Sequence, residues 1–141
     1  MILCKIGNLL PFIEYPNNYF GRCSPVFWGF DTRTIGEEEI TGFFVDVEEY
    51  DEKTSVSIYF APPIYGIRWT DENIRLASGC ELRKTQSSLK QSLVYSVTNS
   101  DFIGWFEQET DGLYGENVRH FSVVATDDII DILCVKEPVI V

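Results

Sequence analysis

Histidine is almost missing from this chain, since His120 is the only one among 141 residues. Any Ser-His or Cys-His nucleophile, and any imidazole base that titrates near neutral pH, would have to use that side chain. On a strand that begins at Val118, His120 points with Ser122 and Val124, and no Asp or Glu stands at a spacing that would orient it. We therefore interpret His120 as a structural or surface residue.

Motifs for nucleotides and metal ions are also missing. Neither G-x-G-x-x-G nor G-x-x-x-x-G-K-[ST] occurs in the sequence. An EF-hand loop that began at Asp46 would have Asp51 in place of its glycine and Ser57 in place of its bidentate glutamate. The 22 acidic residues offer too many pairs to single out a glycosidase-like pair. The sequence predicts no cofactor, no metal ion and no catalytic residue.

Long apolar runs and closely spaced cysteines are lacking as well. No run approaches the ~20 apolar residues that a membrane-spanning helix needs. The apolar stretch from Met1 to Ile13 is interrupted by Lys5 and has neither a basic start nor a cleavage site, so it predicts no secretory signal. The four cysteines contain no C-x-x-C pair, and they are Cys4, Cys23, Cys80 and Cys134. Two disulfides are arithmetically possible, but we expect reduced, buried thiols in a cytoplasmic protein that does not bind membranes.

Positive charge is scarce, with 11 Lys and Arg against 22 Asp and Glu and a formal net charge of −11. The stretch with the most cations is diluted by acids to a net +2, and its cations are Arg68, Arg75, Arg83, Lys84 and Lys90. This disfavours nucleic-acid binding, which requires a denser basic patch. Between Glu37 and Glu52, by contrast, the sequence has eight carboxylates and no Lys or Arg. Such a local field attracts a partner of opposite charge.

Two alternating segments predict a β-hairpin. Apolar residues recur at every second position from Thr41 to Tyr50 and from Ser55 to Phe60, and a polar turn at 51–53 joins them. One predicted face is apolar throughout and carries Phe43, Val45, Val47, Val56, Ile58 and Phe60. The opposite face mixes acids with aromatic rings and carries Phe44, Asp46, Glu48, Tyr50, Ser57 and Tyr59.

The length and the aromatic fraction of 14% predict a single globular domain over residues 1–141. Further strands are expected at 2–6, 26–31, 64–70, 118–125, 129–135 and 139–141, with a helix remaining possible for 127–135. Irregular chain is expected over 7–25 and a polar loop over 32–39. A helix is predicted from Thr85, with Leu89, Leu93 and Val97 on one stripe, and a short second helix after Asn99 or Ser100. The predicted fold class is α+β, mainly an antiparallel sheet of five to seven strands with one or two helices packed on one face.

Aromatic anchors surrounded by charges are typical of protein interfaces. The candidate partner-binding residues are Asp46, Glu48, Glu49, Tyr50, Asp51, Glu52 and Tyr59. A small acidic domain with such a face is similar in general character to the small immunity proteins of bacterial toxin systems. The similarity implies a non-enzymatic inhibitor of a basic, nuclease-like toxin. Three alternatives remain: a carboxylate- or His-dependent enzyme, an accessory domain with no dedicated site, and an acidic run that only keeps the chain soluble.

Overall fold

The computed structural model describes residues 8–14, 23–49, 55–71, 92–125 and 128–141. Within these ranges the strands are β1 (Asn8–Glu14), β2 (Cys23–Ile35), β3 (Glu38–Glu49), β4 (Ser55–Phe60), β5 (Ile64–Asp71), β6 (Ser92–Thr98), β7 (Arg119–Val124), β8 (Asp128–Cys134) and β9 (Val139–Ile140). One α-helix, α1 (Asp101–Glu109), and one 3₁₀ turn (Gly115–Asn117) lie between β6 and β7.

The strands form two antiparallel sheets. Five strands pair in the order β1-β6-β7-β8-β5, and four pair in the order β2-β3-β4-β9. The prediction of a mainly antiparallel sheet with a helix is therefore confirmed. The prediction of five to seven strands is wrong, because the described part of the chain contains nine strands in two sheets.

The two sheets share one core cluster, as in a β-sandwich. The four-stranded sheet contributes the apolar face of the predicted hairpin, including Phe43, Val45 and Ile58. The five-stranded sheet contributes Phe121 and Ile132, among others. The hairpin itself is confirmed, since β3 and β4 pair with Val45 opposite Ile58.

Helix α1 packs on the other face of the five-stranded sheet. Ser100 caps its N-terminus by accepting a hydrogen bond from the Ile103 N–H, as expected for a serine in that position. Phe102 and Phe106 are buried against Val118 and Leu133. The short helix predicted after Asn99 or Ser100 is thus confirmed.

Other predictions need correction. The segment 92–98 of the helix predicted from Thr85 is strand β6, while 85–91 lie outside the described residues. Part of the stretch expected to be irregular is β1, which stands at the end of the five-stranded sheet as far as the structure describes it, a position that tolerates Pro11. The expected polar loop over 32–39 is mostly strand, because β2 and β3 are joined only by Gly36 and Glu37.

Two predictions for the C-terminal strands are confirmed. The segment 128–134 is strand β8, which settles the choice between strand and helix for that segment. The short C-terminal strand is confirmed as β9, which pairs with β4. The strand predicted at 2–6 lies outside the described residues.

Candidate protein-binding surface and a buried polar cluster

Asp46 is held by an arginine on the outer face of the four-stranded sheet. Arg33 donates from Nη1 and Nη2 to the two carboxylate oxygens of Asp46, both at 2.8 Å. Its Nε donates to Asp31 at 2.9 Å. The guanidinium carbon of Arg33 also lies 4.1 Å from the centre of the Phe44 ring. The charge of Asp46 is therefore neutralised within the chain.

The ion pairs shift the pKa values of these groups. Partial burial opposes ionisation of Asp46, but the hydrogen bonds from Arg33 and Ser57 outweigh it and hold the pKa of Asp46 below its usual value. The Arg33 hydrogen bond also lowers the pKa of Asp31. The Asp46 bond in turn raises the pKa of Arg33. All three groups are thus charged at neutral pH.

The aromatic residues beside Asp46 are less available for contact with a partner than the sequence indicated. Phe44 is fully buried although it lies on the outer face, because the Tyr59 ring packs against it at 5.1 Å. Tyr59 also donates its hydroxyl to the Thr41 carbonyl at 2.9 Å. A Cβ on Gly42 would come within 2.6 Å of the Tyr59 ring, so only glycine leaves room for that ring to lie across β3 at this position. The expected open face of acids and aromatic rings is therefore largely closed by its own side chains.

The predicted site residues are only partly brought together. Asp46, Glu48 and Tyr59 lie on neighbouring strands, with Asp46 opposite Ser57 and Glu48 opposite Ser55. Glu48 is half-buried, and Glu49 ends β3 opposite Cys23. Tyr50, Asp51 and Glu52 lie outside the described residues. Asp46 is thus paired with Arg33, whereas Glu48 makes no ion pair among the residues that the structure describes.

A second aromatic group, which the sequence analysis did not select, lies on β2. Phe27 is 41% exposed, Trp28 is 40% exposed and Phe30 is 64% exposed. Trp28 and Phe30 face the same way as the buried Phe43, and the ring centres of Phe30 and Phe43 are 5.5 Å apart. They continue the aromatic core outward into solvent. The run from Val26 to Asp31 carried this signal, but the sequence does not show that it occupies a sheet edge.

Three carboxylates surround the end of the same hairpin. Glu37 lies in the turn, where Gly36 has a φ of +64° at the first central position, the pattern of a type II′ turn. Glu38 and Glu39 begin β3 and are exposed. Among the residues that the structure describes, no ion pair involves any of the three. Because side chains alternate, Glu39 falls on the same face as Trp28 and Phe30.

Asp131 lies at the centre of a polar cluster inside the five-stranded sheet. Its register places it between Arg68 on β5 and Ser122 on β7. Asp131 accepts from Arg68 Nε at 3.1 Å and from the Ser122 hydroxyl. His120 Nε2 lies 2.7 Å from the same carboxylate. Asp131 thus supplies the carboxylate partner of His120 that the sequence analysis did not find.

The chain of hydrogen bonds continues from His120 to Ser100. His120 Nδ1 lies 2.7 Å from the Ser100 hydroxyl oxygen, which also accepts the Ile103 N–H. In a neutral ring, Nε2–H donates a hydrogen bond to Asp131 and Nδ1 accepts one from the Ser100 hydroxyl. This order of Ser, His and Asp is that of a proton relay. The side chains of His120 and Asp131 are both 0% exposed, however, so their immediate role is to join α1 to the sheet.

An open cavity of about 460 Å³ lies near this cluster. Its lining residues are Ile67, Arg68, Asp101, Phe102 and Trp105. Arg68 is the member of the cluster that lines it, and neither Ser100 nor His120 does. Arg68 lies 4.5 Å from the centre of the Phe102 ring and 3.9 Å from the Asp101 carboxylate. Its charge is thus already balanced by two aspartates.

The two described cysteines are buried in the core between the sheets. Burial raises the pKa of the Cys134 thiol to about 12. Cys134 is therefore a thiol at neutral pH and a poor nucleophile. Cys4 and Cys80 lie outside the described residues.

Within the described ranges, no three His, Cys, Asp or Glu side chains are grouped so that they could hold a metal ion. The helix of these ranges is too short and too polar to cross a membrane. No protein-family model, no curated protein and no solved structure matches the chain.

Proposed function

We propose that the chain is a non-enzymatic protein-binding domain that inhibits a basic partner, most concretely a nuclease-like toxin. The contact is made by the hairpin of β2 and β3. We call its exposed aromatic and acidic residues the hairpin surface, and they are Phe27, Trp28, Phe30, Glu37, Glu38 and Glu39. This function keeps the class of partner that the sequence predicts but moves the centre of the site.

The observation that carries the proposal is that one hairpin bears exposed rings on β2 and, around its turn, carboxylates without an ion-pair partner in the described chain. Trp28 and Phe30 stand partly in water on top of the buried Phe43. Large aromatic side chains of this kind supply most of the binding energy in many protein interfaces. A partner that covers them removes apolar area from water and adds to the ring contacts that Trp28 and Phe30 already make with Phe43.

The charge of the hairpin indicates a basic partner. From Cys23 to Glu49 the sequence contains seven carboxylates and a single cation, Arg33, a formal charge of −6 within the total of −11. Arg33 is bound to Asp31 and Asp46, so the remaining carboxylates set the field at the hairpin surface. Such a field accelerates encounter with a positively charged protein and disfavours an acidic one.

Five of the seven partner-binding residues predicted from the sequence retain a place in the proposal. Glu48 lies toward the other end of β3, and Glu49, Tyr50, Asp51 and Glu52 follow it in the chain. We propose them as a second acidic border of the contact. Asp46 and Tyr59 serve instead to hold the outer face together, through Arg33 and Thr41.

Site-specific photocrosslinking tests the proposed surface. The photoreactive amino acid p-benzoylphenylalanine replaces Phe30, and in a matched control it replaces Leu113, which is 79% exposed outside both sheets. Each variant is irradiated in lysate of the native host. We expect a basic protein to be crosslinked from position 30 and not from position 113. The isolated partner should lose its activity, assayed first as a nuclease, on addition of one equivalent of the wild-type chain.

Two results would overturn the proposal. One is crosslinking to the same proteins from positions 30 and 113, which would show non-specific contact. The other is a specific partner at position 30 whose activity is unchanged by a stoichiometric excess of the wild-type chain.

A further inference from the structure

We infer that the outer edge of β2, which pairs with no strand of the described residues, takes up an extended basic segment of the partner as an additional β-strand. This inference rests on the proposed function and specifies how the partner is recognised. Main-chain hydrogen bonds to the edge would supply affinity, and the alternating side chains would supply specificity.

The position of β2 in its sheet provides the edge. β2 is the first strand in the order β2-β3-β4-β9, and no strand of the described residues pairs with its far side. It has 13 residues, so its length is about 40 Å at the usual rise per residue. The opposite end of the sheet is β9, which has only two residues. Of the two ends, β2 alone is long enough to pair with several residues of a partner.

The usual protection of an exposed edge is confined to the start of β2. Pro25 and the bulge between Pro25 and Phe27 interrupt pairing there. From Phe27 to Ile35 there is no proline and no lysine, and the only charged cation is Arg33, already bonded to Asp31 and Asp46. Natural proteins rarely leave such a long edge unprotected. The stretch from Phe27 to Ile35 is therefore the proposed pairing segment.

The neighbouring side chains define the chemistry of the added strand. An apolar residue of the partner would pack against Trp28 or Phe30 on the core-facing side. A lysine or arginine further along would meet Glu39, which lies on the same face near the turn. A second copy of this chain is disfavoured, because two hairpins of formal charge −6 would face each other. The occupant is thus a strand in which apolar and basic residues alternate.

Two synthetic peptides test this mode of binding. The probe is an acetylated and amidated octapeptide of alternating lysine and valine. The control has the same sequence with four consecutive central amides N-methylated, which keeps its charges and side chains but removes hydrogen-bond donors. Affinity is measured by fluorescence anisotropy, and amide exchange of the uniformly ¹⁵N-labelled chain is measured by NMR.

We expect the unmodified peptide to bind at least about tenfold more tightly than the methylated one, which corresponds to about 1.4 kcal/mol. At saturation it should slow the exchange of alternate amides between Phe27 and Ile35. Equal binding of both peptides, or binding without new protection in β2, overturns strand addition. No binding of either peptide at millimolar concentration overturns it as well. The crosslinking from position 30 does not depend on these peptides. A negative peptide result therefore overturns strand addition without overturning the proposed function.

Discussion

The outer faces of the two sheets carry the same three residue types in different surroundings. On the four-stranded sheet, Arg33 lies 4.1 Å from the Phe44 ring centre and binds Asp46. On the five-stranded sheet, Arg68 lies 4.5 Å from the Phe102 ring centre and binds Asp131. The Asp46 side chain is 19% exposed, whereas that of Asp131 is 0% exposed.

The difference in burial gives the two pairs different roles. Asp46 has both oxygens bonded by one guanidinium at the boundary with solvent. Asp131 also receives bonds from His120 and Ser122, so its loss would leave several buried polar groups without a partner. We therefore expect the Asp131 cluster to make the larger contribution to the free energy of unfolding. The Arg33 cluster should hold the hairpin in shape and neutralise part of its negative charge.

The largest effect is expected for Asp131→Ala. Removing this carboxylate leaves Arg68 and His120 without their buried partner, and breaking a buried pair in this way costs about 3–5 kcal/mol. Urea denaturation followed by circular dichroism measures the change. Asp101→Ala is the matched control, because Asp101 lies 3.9 Å from the same arginine but is 44% exposed, and its loss should cost less than about 1 kcal/mol. Similar costs for both variants would refute the assigned difference.

A smaller effect is expected for Arg33→Met. Methionine keeps an unbranched apolar chain over Phe44 but removes the two bonds to Asp46, which should cost about 1–3 kcal/mol of unfolding free energy. Arg119→Met is the control, because its bond to Glu137 is more exposed and should contribute at most about 1 kcal/mol. A cost for Arg33→Met no greater than that of the control would show that the Asp46 pair adds no stability.

The pH dependence of the Arg33→Met effect is the smallest expected signal. The folded-state pKa of Asp46 lies below the ordinary value of 3.8, so the stability that the pair contributes is present above pH 3.8 and lost as the pH falls further. The difference in unfolding free energy between wild type and Arg33→Met should thus be constant near neutrality and shrink below pH 3.8. Denaturation curves from pH 7 down to the lowest pH at which both chains fold test this. If the difference in unfolding free energy stays the same below pH 3.8, the cost of Arg33→Met comes from lost packing and not from the ion pair with Asp46.

Local patterns predicted some elements well. The β3–β4 hairpin followed from strict alternation, which decides both the strands and their faces. Helix α1 followed from the capping residues Asn99 and Ser100, of which Ser100 is the cap in the structure. The error at β6 arose because Leu93 and Val97 are four residues apart, a spacing that places them on one face of a strand as well as of a helix. Since β6 is buried on both faces, no alternation was left to distinguish the two.

The functional clusters depended on contacts between distant segments. Arg68 and Asp131 are 63 residues apart in the chain, and only the pairing of β5 with β8 brings them together. The acid in the middle of the otherwise apolar stretch from Ile129 to Cys134 was the available signal. Arg33 was missed as the partner of Asp46 because the sequence predicted a loop over 32–39. The Arg68–Asp131 pair depends on which strands are neighbours, and a local pattern contains little information on that. The Arg33–Asp46 pair was lost one step earlier, because the end of β2 was not recognised as a strand.

The most direct test of the account measures how salt changes the affinity for the crosslinked partner. Wild type is compared with the variant Glu37→Gln, Glu38→Gln, Glu39→Gln, whose carboxylates make no ion pair among the described residues and whose unfolding free energy should stay within about 0.5 kcal/mol of wild type. We predict that the variant binds at least about tenfold more weakly at low salt and that its affinity depends less on salt concentration. Equal affinity and equal salt dependence for the two proteins would contradict the role of the hairpin surface.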